Sequence, residues 1–517
     1  MSNVFDQSAP LTQAIIDHLF EIGISSLKII NKAEVYVADL DPLVLLNSFG
    51  CSFPNSANLI IFDSPRASKR VPSTLFDFNA DGVLAKKEIG ITDPNYKFVL
   101  GANLVVASRL MYRALADSGV VLAITTPDVY LTVRGALEHY FGSDKFLGEL
   151  VYQSRVGGGS DSKFLSVDHE TILIFAKNPS LVRKFQLDKS SKELEKYSQE
   201  DDESPYYWDT YIRKQARNYY PIECPDKSRI EIDESGNRIS WLWREQTFLE
   251  KLAKGDIKFE KVDGKWKLYY KDRLKDVKIL RSLALNSTVL TEVSPDAPEN
   301  LKGGDLLNSK GSDEIKAFTG AKPDYLKPSN YFEFLCKVFN RGSGKIIVPY
   351  PEYGAAIQGA LSAEKKGCNL IVNNPISFKK LIDWRMKNIN ADNKIFFGEN
   401  STYNFNSFID SSGKIDSNLV INLISIKFGI QENWNQLKTD SINIDYVIHD
   451  GVAVIYIEKF EAGKVVAAKK EFDKTILECG DCQLVVFSSI NPDVVRDVFF
   501  KGKENIAAYK VPDYFIS

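Results

Sequence analysis

Residues 103–126 read NLVVASRLMYRALADSGVVLAITT, and two periodicities meet inside them. From Asn103 to Ala116 the apolar residues recur at three- and four-residue spacing, the mark of a helix with one buried face. Ser118-Gly119 supplies a helix stop. VVLAITT then runs without a charge, as a strand buried on both faces does. Outward from this stretch the alternation repeats. VYVAD from Val35 and NLIIFD at 58–63 are short buried strands. YLTVRGALEHYFG from Tyr130 is a second helix, and ELVYQSR, ending at Arg155, is again strand-like. Helices and strands in this rhythm predict a mostly parallel sheet with helices on both faces.

The texture then changes. GGGSDSK at 157–163 is a Gly/Ser loop, and residues 180–280 are rich in Lys, Arg, Tyr and Trp, with charge runs such as SKELEKYSQEDDES. IKFEKVDGKWKLYYK reads as a hairpin turning at Asp263-Gly264. The α/β texture returns with YFEFLCKVF as a helix, GKIIVPY as a strand, AAIQGALSAEKKG as a helix and CNLIVNNP as a strand. LVINLISIKFG, YVIHDGVAVIYIEKF and QLVVFSS suggest a small α/β end domain. The expected boundaries are an N-terminal segment at 1–30, a first half-sheet at 31–155 and an insert at 156–320. A second half-sheet follows at 321–400 and the C-terminal domain at 401–517.

With 517 residues the chain is too long for one compact core. Its 44% hydrophobic content, with 31 Phe and 23 Tyr, excludes wholesale disorder. Lys and Arg number 65 against 68 Asp and Glu, so no global field favours nucleic acid, although a local basic patch is compatible with that balance. No apolar run approaches the roughly 20 residues of a membrane helix, and MSNVFDQSAPLTQ lacks the basic-then-apolar order of a signal peptide. Six scattered Cys fit a reducing interior. Cys479 and Cys482 form a lone C-x-x-C with no second pair, read as a turn rather than a zinc or redox site. A cytoplasmic protein without a membrane partner is expected.

Several stretches in a fixed order resemble Type III restriction-modification methyltransferase (Mod) subunits, which are β-class adenine-N6 DNA methyltransferases. VYQSRVGGGSDSKFLSVDHETILIFAKNP at 151–179 is similar to the family's W-K-K-x-G-G-G-x-D-S-K and H-E-x-I-L-V-Y-A-K-N. YYPIECPDKSRI at 219–230 and WLWREQTF at 241–248 resemble Y-P-I-x-x-P-D-G and W-R-W-S. GSDEIKAFTGAKPDYLKP at 311–328 resembles G-T-x-E-L-K-x-L-F-G followed by F-x-Y-P-K-P. The resemblance covers nearly the whole chain. It implies a Rossmann-like methyltransferase fold in two sheet-halves, an inserted DNA-recognition domain and a small α/β tail.

Methyl transfer to an exocyclic amine needs a Gly-rich turn that admits S-adenosylmethionine close to the backbone. It also needs a polar acid to hold the amine, and an aromatic ring to stack on a flipped base. The family's D-P-P-Y corresponds here to Asp63, Ser64, Pro65 and Arg66. Asp63 and Pro65 match, whereas Arg66 replaces the aromatic platform. Asp63 can accept the amine hydrogen bond or merely cap the next turn. FDFNAD at 76–81 resembles the family's F-x-Y-N-D and anchors the comparison. The family's D-F-F-A-G-S-G-T-T falls on PYPEYGAAI, where Pro349 replaces the acid, Pro351 and Tyr353 add bulk, Glu352 adds a carboxylate, and Gly354 alone remains of the glycines. Asn373 and Asn374 stand where an acid holds the ribose. No cofactor is therefore expected, and S-adenosylmethionine only if the pocket still works.

Candidate DNA contacts are Arg155 and Lys163 around the GGG loop, then Arg213, Lys214, Arg217 and Asn218, interleaved with Tyr206, Tyr207, Trp208, Tyr211 and Tyr219. The same residues could equally form a solvated face over a small β core. Arg244 can pack on Trp241 and Trp243, and His169 is read as structural. The resemblance implies an inactive Mod-like subunit binding double-stranded DNA beside an intact methyltransferase subunit, with a restriction helicase-nuclease as a further partner. The alternatives are an active adenine-N6 methyltransferase with a divergent pocket, and a scaffold without DNA contact.

Overall fold

The computed structural model describes residues 2–22, 35–38, 40–65, 73–155, 165, 167–185, 194–213, 216–233, 235–276, 306–320, 326–340, 344–350, 353–363, 369–373, 379–388, 395–397, 417–440, 442–449, 452–460, 467–470, 472–474, 483–488 and 506–510. Met1–Arg183 and Gly303–Ser517 fall in one compact unit, and Lys184–Leu280 in a second.

The first unit begins with α1 (Ser2–Ile22), β1 (Val35–Ala38), α2 (Pro42–Ser52), β2 (Ala57–Asp63) and the hairpin β3 (Ser73–Phe78) and β4 (Leu84–Ile89). Next come α3 (Tyr96–Ala114), β5 (Leu115–Thr125), α4 (Tyr130–Phe141), β6 (Phe146–Gln153) and β7 (His169–Ala176). The second unit holds β8 (Gln199–Glu200), β9 (Pro205–Thr210), β10 (Ile222–Glu223), β11 (Arg229–Ile230), α5 (Glu245–Ala253), β12 (Ile257–Val262) and β13 (Lys265–Arg273). The first unit then resumes with α6 (Asn308–Thr319), α7 (Ser329–Phe339), β14 (Lys345–Val348), α8 (Ala355–Ala363), β15 (Asn369–Asn373), α9 (Lys379–Asn388) and β16 (Ile395–Phe397). It ends with α10 (Ser417–Phe428), β17 (Asn435–Lys438), β18 (Ile442–His449), β19 (Val452–Phe460), β20 (Gln483–Ser488) and β21 (Ile506–Lys510).

The main sheet has the order β16-β1-β15-β14-β2-β5-β7-β6. From β16 to β5 every pairing is parallel, as the alternating texture predicts. β7 departs from this and runs antiparallel to both β5 and β6. The sequence HETILIFA gives no warning, because every residue after His169 is buried and a strand covered on both faces reads the same in either direction. A second difference lies in the opening stretch. The helix stops at Ala114, and β5 starts at once at Leu115. Ser118-Gly119 is not a helix stop: it lies in β5, in the register shift between Leu115 and Val120, which pair with Ala57 and Leu59 of β2.

Alternate side chains of β2 part to opposite faces. Ile60 and Phe62 join a core built by residues of α1, α2, α3, α4 and α10, while Leu59 and Ile61 are equally buried on the other side. Val447, Val454 and Tyr456 of the C-terminal sheet β17-β18-β19-β20-β21 enter the same core. The chain passes from β14 through α8 to β15 on one side, and from β2 through α3 to β5 on the other. The winding therefore reverses between β14 and β2. At such a reversal the connections diverge, leaving a crevice at the carboxyl ends of the two strands.

In the second unit β12 and β13 pair through the Asp263-Gly264 turn, both residues at positive φ (50° and 79°), as read from the sequence. β13 pairs on with β9. Tyr211, Tyr220, Trp241 and Phe248 make its core. The Tyr211 and Tyr220 hydroxyls lie 2.8 Å apart, and Trp241 Nε1 donates to the Tyr220 carbonyl at 2.7 Å. Among the described residues no helix is long and apolar enough to cross a membrane.

Candidate functional site

Asp63 is the last residue of β2 and sits at the reversal point. Lys327 Nζ lies 2.5 Å from Asp63 Oδ2 and 3.2 Å from Glu170 Oε2. The Lys327 side chain is fully buried, and those of Asp63 and Glu170 are 10% and 5% exposed. Glu170 comes from the second residue of β7, so the antiparallel direction of that strand delivers its carboxylate to the carboxyl end of β2. The sequence leaves Asp63 as an amine acceptor or a turn cap; this bond joins it to a lysine ammonium. The carboxylate holds a buried ammonium.

Lys327 is placed by close backbone packing. A Cβ on Gly311 of α6 would stand 2.2 Å from the Leu326 carbonyl oxygen and 2.7 Å from the Lys327 carbonyl carbon. Only a glycine lets α6 press on the segment that carries the lysine. Three residues on, Glu314 Oε1 accepts from Ser329 N at 3.0 Å and from Ser329 Oγ at 2.9 Å. The carboxylate thus supplies the acceptor that the start of α7 needs, since Pro328 before it offers no side-chain cap.

The other oxygen of Glu314 reaches Arg385 of α9, 1% exposed at the side chain, at 2.8 Å. Arg385 also donates to Gln358 Oε1 at 2.8 Å and, through Nε, to the Tyr353 carbonyl at 2.9 Å. Tyr353 and Gly354 form the turn between β14 and α8 at φ 48° and 76°. Gly354 is required there twice over, by its φ and because a Cβ would meet Arg385 and Ile382 at 3.3 Å. Tyr353 holds a left-handed conformation without that freedom. Its side chain packs against the cluster Ile315, Leu326 and Leu381. Pro349 is buried at the end of β14, and the Tyr350 ring meets Phe62 edge-on at 5.2 Å. Burial pushes the Tyr350 hydroxyl pKa up, with Asp41 adding to the effect.

S-adenosylmethionine, implied by the family resemblance, needs a turn that opens its backbone to the ligand. The described part of this turn does not fit that need. Its Tyr353 carbonyl is already bound by Arg385, a tyrosine stands between Pro349 and Gly354 at each described position, and the buried Arg385 guanidinium is matched by Glu314. Arg66, Pro351, Glu352 and Asn374 lie outside the described residues, as do Lys163, Lys214, Cys479 and Cys482. Pro65, two residues after Asp63, is half-buried. Asn373 ends β15.

The candidate DNA contacts that the structure describes divide between the two units. Arg155 is exposed in the first unit and donates to the Val167 carbonyl. Arg213 is taken up inside the second unit, donating to Asp209 Oδ2 at 2.7 Å and to the Tyr270 hydroxyl at 3.1 Å. Asn218 donates to the carbonyls of Trp241 and Leu242. Arg217 is exposed at φ 54°. Other cations of this unit also lie beside acids, as in Arg229–Glu223, Arg238–Glu231, Lys261–Asp226 and Lys271–Asp201. Tyr211 belongs to the core rather than to a surface.

The residues that build the site, Lys327, Glu170, Glu314 and Arg385, were not singled out by sequence reasoning. Three of them stand inside stretches quoted for their family resemblance. An H-E pair after a Gly-rich loop and a K-P pair before a helix were the signals available. Arg385 carried none.

No family model matches the sequence, and no curated protein does. Among solved structures the chain is similar to TTHA0409 of Thermus thermophilus, assigned as a DNA modification methylase and complexed with S-adenosyl-L-methionine. The identity is 10%, the match covers 70% of this chain and 99% of that one, and the TM-score is 0.33. M1.HpyAVI with the same ligand matches at 8% identity over 68% and 99% of the chains, with a TM-score of 0.31. The cytosine-N4-specific PvuII DNA methyltransferase matches at 10% identity over 77% and 95%, with a TM-score of 0.33. Likeness at this level transfers no activity and no residue role to this chain.

Proposed function

We propose that this chain is a DNA methyltransferase-like subunit of the Type III Mod kind that has lost methyl transfer. It serves DNA recognition and dimerisation beside an intact methyltransferase subunit, within a restriction-modification or phage-defence complex. The observation that carries the reading is the buried ion pair between Asp63 and Lys327. Lys327 occupies one of the two oxygens of the acid that would have to accept a substrate amine, and freeing that oxygen would strand two buried charges. The Tyr353 turn supports the same reading.

Calorimetry with S-adenosylmethionine and transfer of labelled methyl groups to duplex DNA test it. The expected result is no heat and no label from the purified chain, with an intact methyltransferase recovered from its native complex. Label incorporated into adenine and lost in Asp63→Ala overturns it in favour of an active enzyme. Salt-dependent gel shifts separate recognition from a mere scaffold, since phosphate contacts weaken steeply as salt rises. Arg217→Glu is the informative charge reversal; Arg213→Glu would also break the Asp209 pair within the unit.

A further inference from the structure

At the opposite end of β2 from Asp63 lies a cavity of about 460 Å³. Its walls come from the loop before β2, the end of α3, the segment after β7 and the end of α10 with the turn beyond it. Four cations line it, Arg109, Arg113, Lys145 and Lys177, with Asp117 the carboxylate of the wall; Lys145 is also paired with Asp144, outside the wall, at 2.8 Å. Asp117 stands 3.6 Å from Lys177, whose ammonium also donates to the Leu115 carbonyl at 3.2 Å and to Asn55.

The two arginines are less well matched. Arg109 donates to the Lys427 carbonyl at 3.0 Å and lies over the Tyr140 ring at 5.6 Å. Arg113 donates to the Asn422 amide oxygen, and its buried Nε has no hydrogen-bond partner among the described residues. Among those residues neither guanidinium has a carboxylate within ion-pair distance. Both are half-buried, and burial pulls the pKa of Arg109, Arg113 and Lys177 downward. A desolvated cation without a counter-charge is unfavourable. Here two such cations and an unused donor face one cavity whose size is that of a small-ligand site.

We propose that this cavity binds a phosphorylated small molecule of nucleotide size, its phosphates held by Arg113, Arg109, Lys177 and Lys145. Guanidinium groups present forked donors that match phosphate oxygens. Tyr112 and Tyr140, whose rings meet edge-on at 5.6 Å in the same wall, lie beneath Lys177 and Arg109 and back those cations at the cavity. Duplex DNA fits less well, because a backbone of phosphates is read by cations standing out at a surface rather than by guanidiniums set half-buried in a recess. The reading is independent of the fate of the Asp63 site at the other end of the strand.

The test titrates the full chain with AMP, ADP and inorganic pyrophosphate by calorimetry and thermal shift, and with a short labelled duplex by anisotropy. Arg113→Gln with Lys177→Gln is compared with the parent, folding being checked by circular dichroism. Binding of ADP, with pyrophosphate competing, and weakening of about ten-fold or more in the double variant is the expected result. Arg113→Gln alone is expected to keep or raise the melting temperature without ligand, since it removes an unmatched charge, while reducing the ligand-induced shift. The proposal is overturned if none of the three probes binds at about millimolar concentration, if the variant binds them as the parent does, or if the substitutions weaken duplex binding alone.

Discussion

Lys327 reaches Asp63 from 264 residues further along the chain and closes on it at 2.5 Å, with Glu170 on its other side at 3.2 Å. The lysine thereby satisfies two strands, β2 and β7, that run in opposite directions through the same sheet. Substituting Lys327→Met leaves two carboxylates close together in a desolvated place. A loss of about 3–5 kcal/mol is expected, as for other broken buried pairs, read as a fall in the denaturant midpoint. The triple change Lys327→Met, Asp63→Asn, Glu170→Gln should recover much of that loss. If the single variant is as stable as the parent, the triad is not a buried charge network.

Gly354→Ala tests the turn after β14. A left-handed residue with a Cβ is about 1–2 kcal/mol less favourable, and here the methyl also meets Arg385 and Ile382 at 3.3 Å. The expected outcome is a destabilisation of at least that size, with the native circular dichroism spectrum retained. Gly82, also at positive φ but with nothing within 4 Å, supplies the control in which only the backbone term is felt.

Arg273 organises the second unit. It donates to Asp256 Oδ1 at 2.7 Å and to Asp201, and its own side chain is only 4% exposed. Arg273→Met should destabilise that unit by about 3–5 kcal/mol. The pH dependence follows from Asp256. Burial opposes its ionised form, but hydrogen bonds from Arg273 and Lys251 outweigh that and hold its pKa below the ordinary carboxylate value. A depressed folded pKa gives stability that is present above the unfolded value, near 3.9, and lost as the pH falls through the folded one. The parent should therefore keep this contribution at pH 5 and lose it in stronger acid, whereas the variant lacks it throughout. Acid titrations of the two chains, followed by tryptophan fluorescence, should differ above about pH 4 and approach one another as the pH falls further below it.

Cys51 is fully buried in α2, and burial pushes its thiol to about 12. Since the thiolate is the reactive form, iodoacetamide at pH 8 should leave the Cys51 peptide unmodified in the native chain and label it fully in denaturant. Peptide mass mapping reads this directly, and rapid native labelling would contradict the burial.

The sequence determined the local elements. Helical spacing from Asn103, uncharged runs such as LIIF and VVLAIT, and the Asp263-Gly264 turn each act over a few residues. Side-chain periodicity and backbone sterics there leave little choice. The same properties placed Asp63 and the Pro349–Gly354 turn at the carboxyl ends of strands. They could not give the direction of β7, because a strand covered on both faces has no alternation to read. Nor could they show that Arg213 is bound within its unit while Arg217 is exposed, for that depends on Asp209 and Tyr270. The partner of Asp63 lies in a stretch whose resemblance was visible and whose contact was not. Only tertiary packing, with α6 pressed against the backbone at Leu326–Lys327 where Gly311 leaves room, brought that lysine to the acid. That long-range ion pair is therefore a product of the tertiary structure alone.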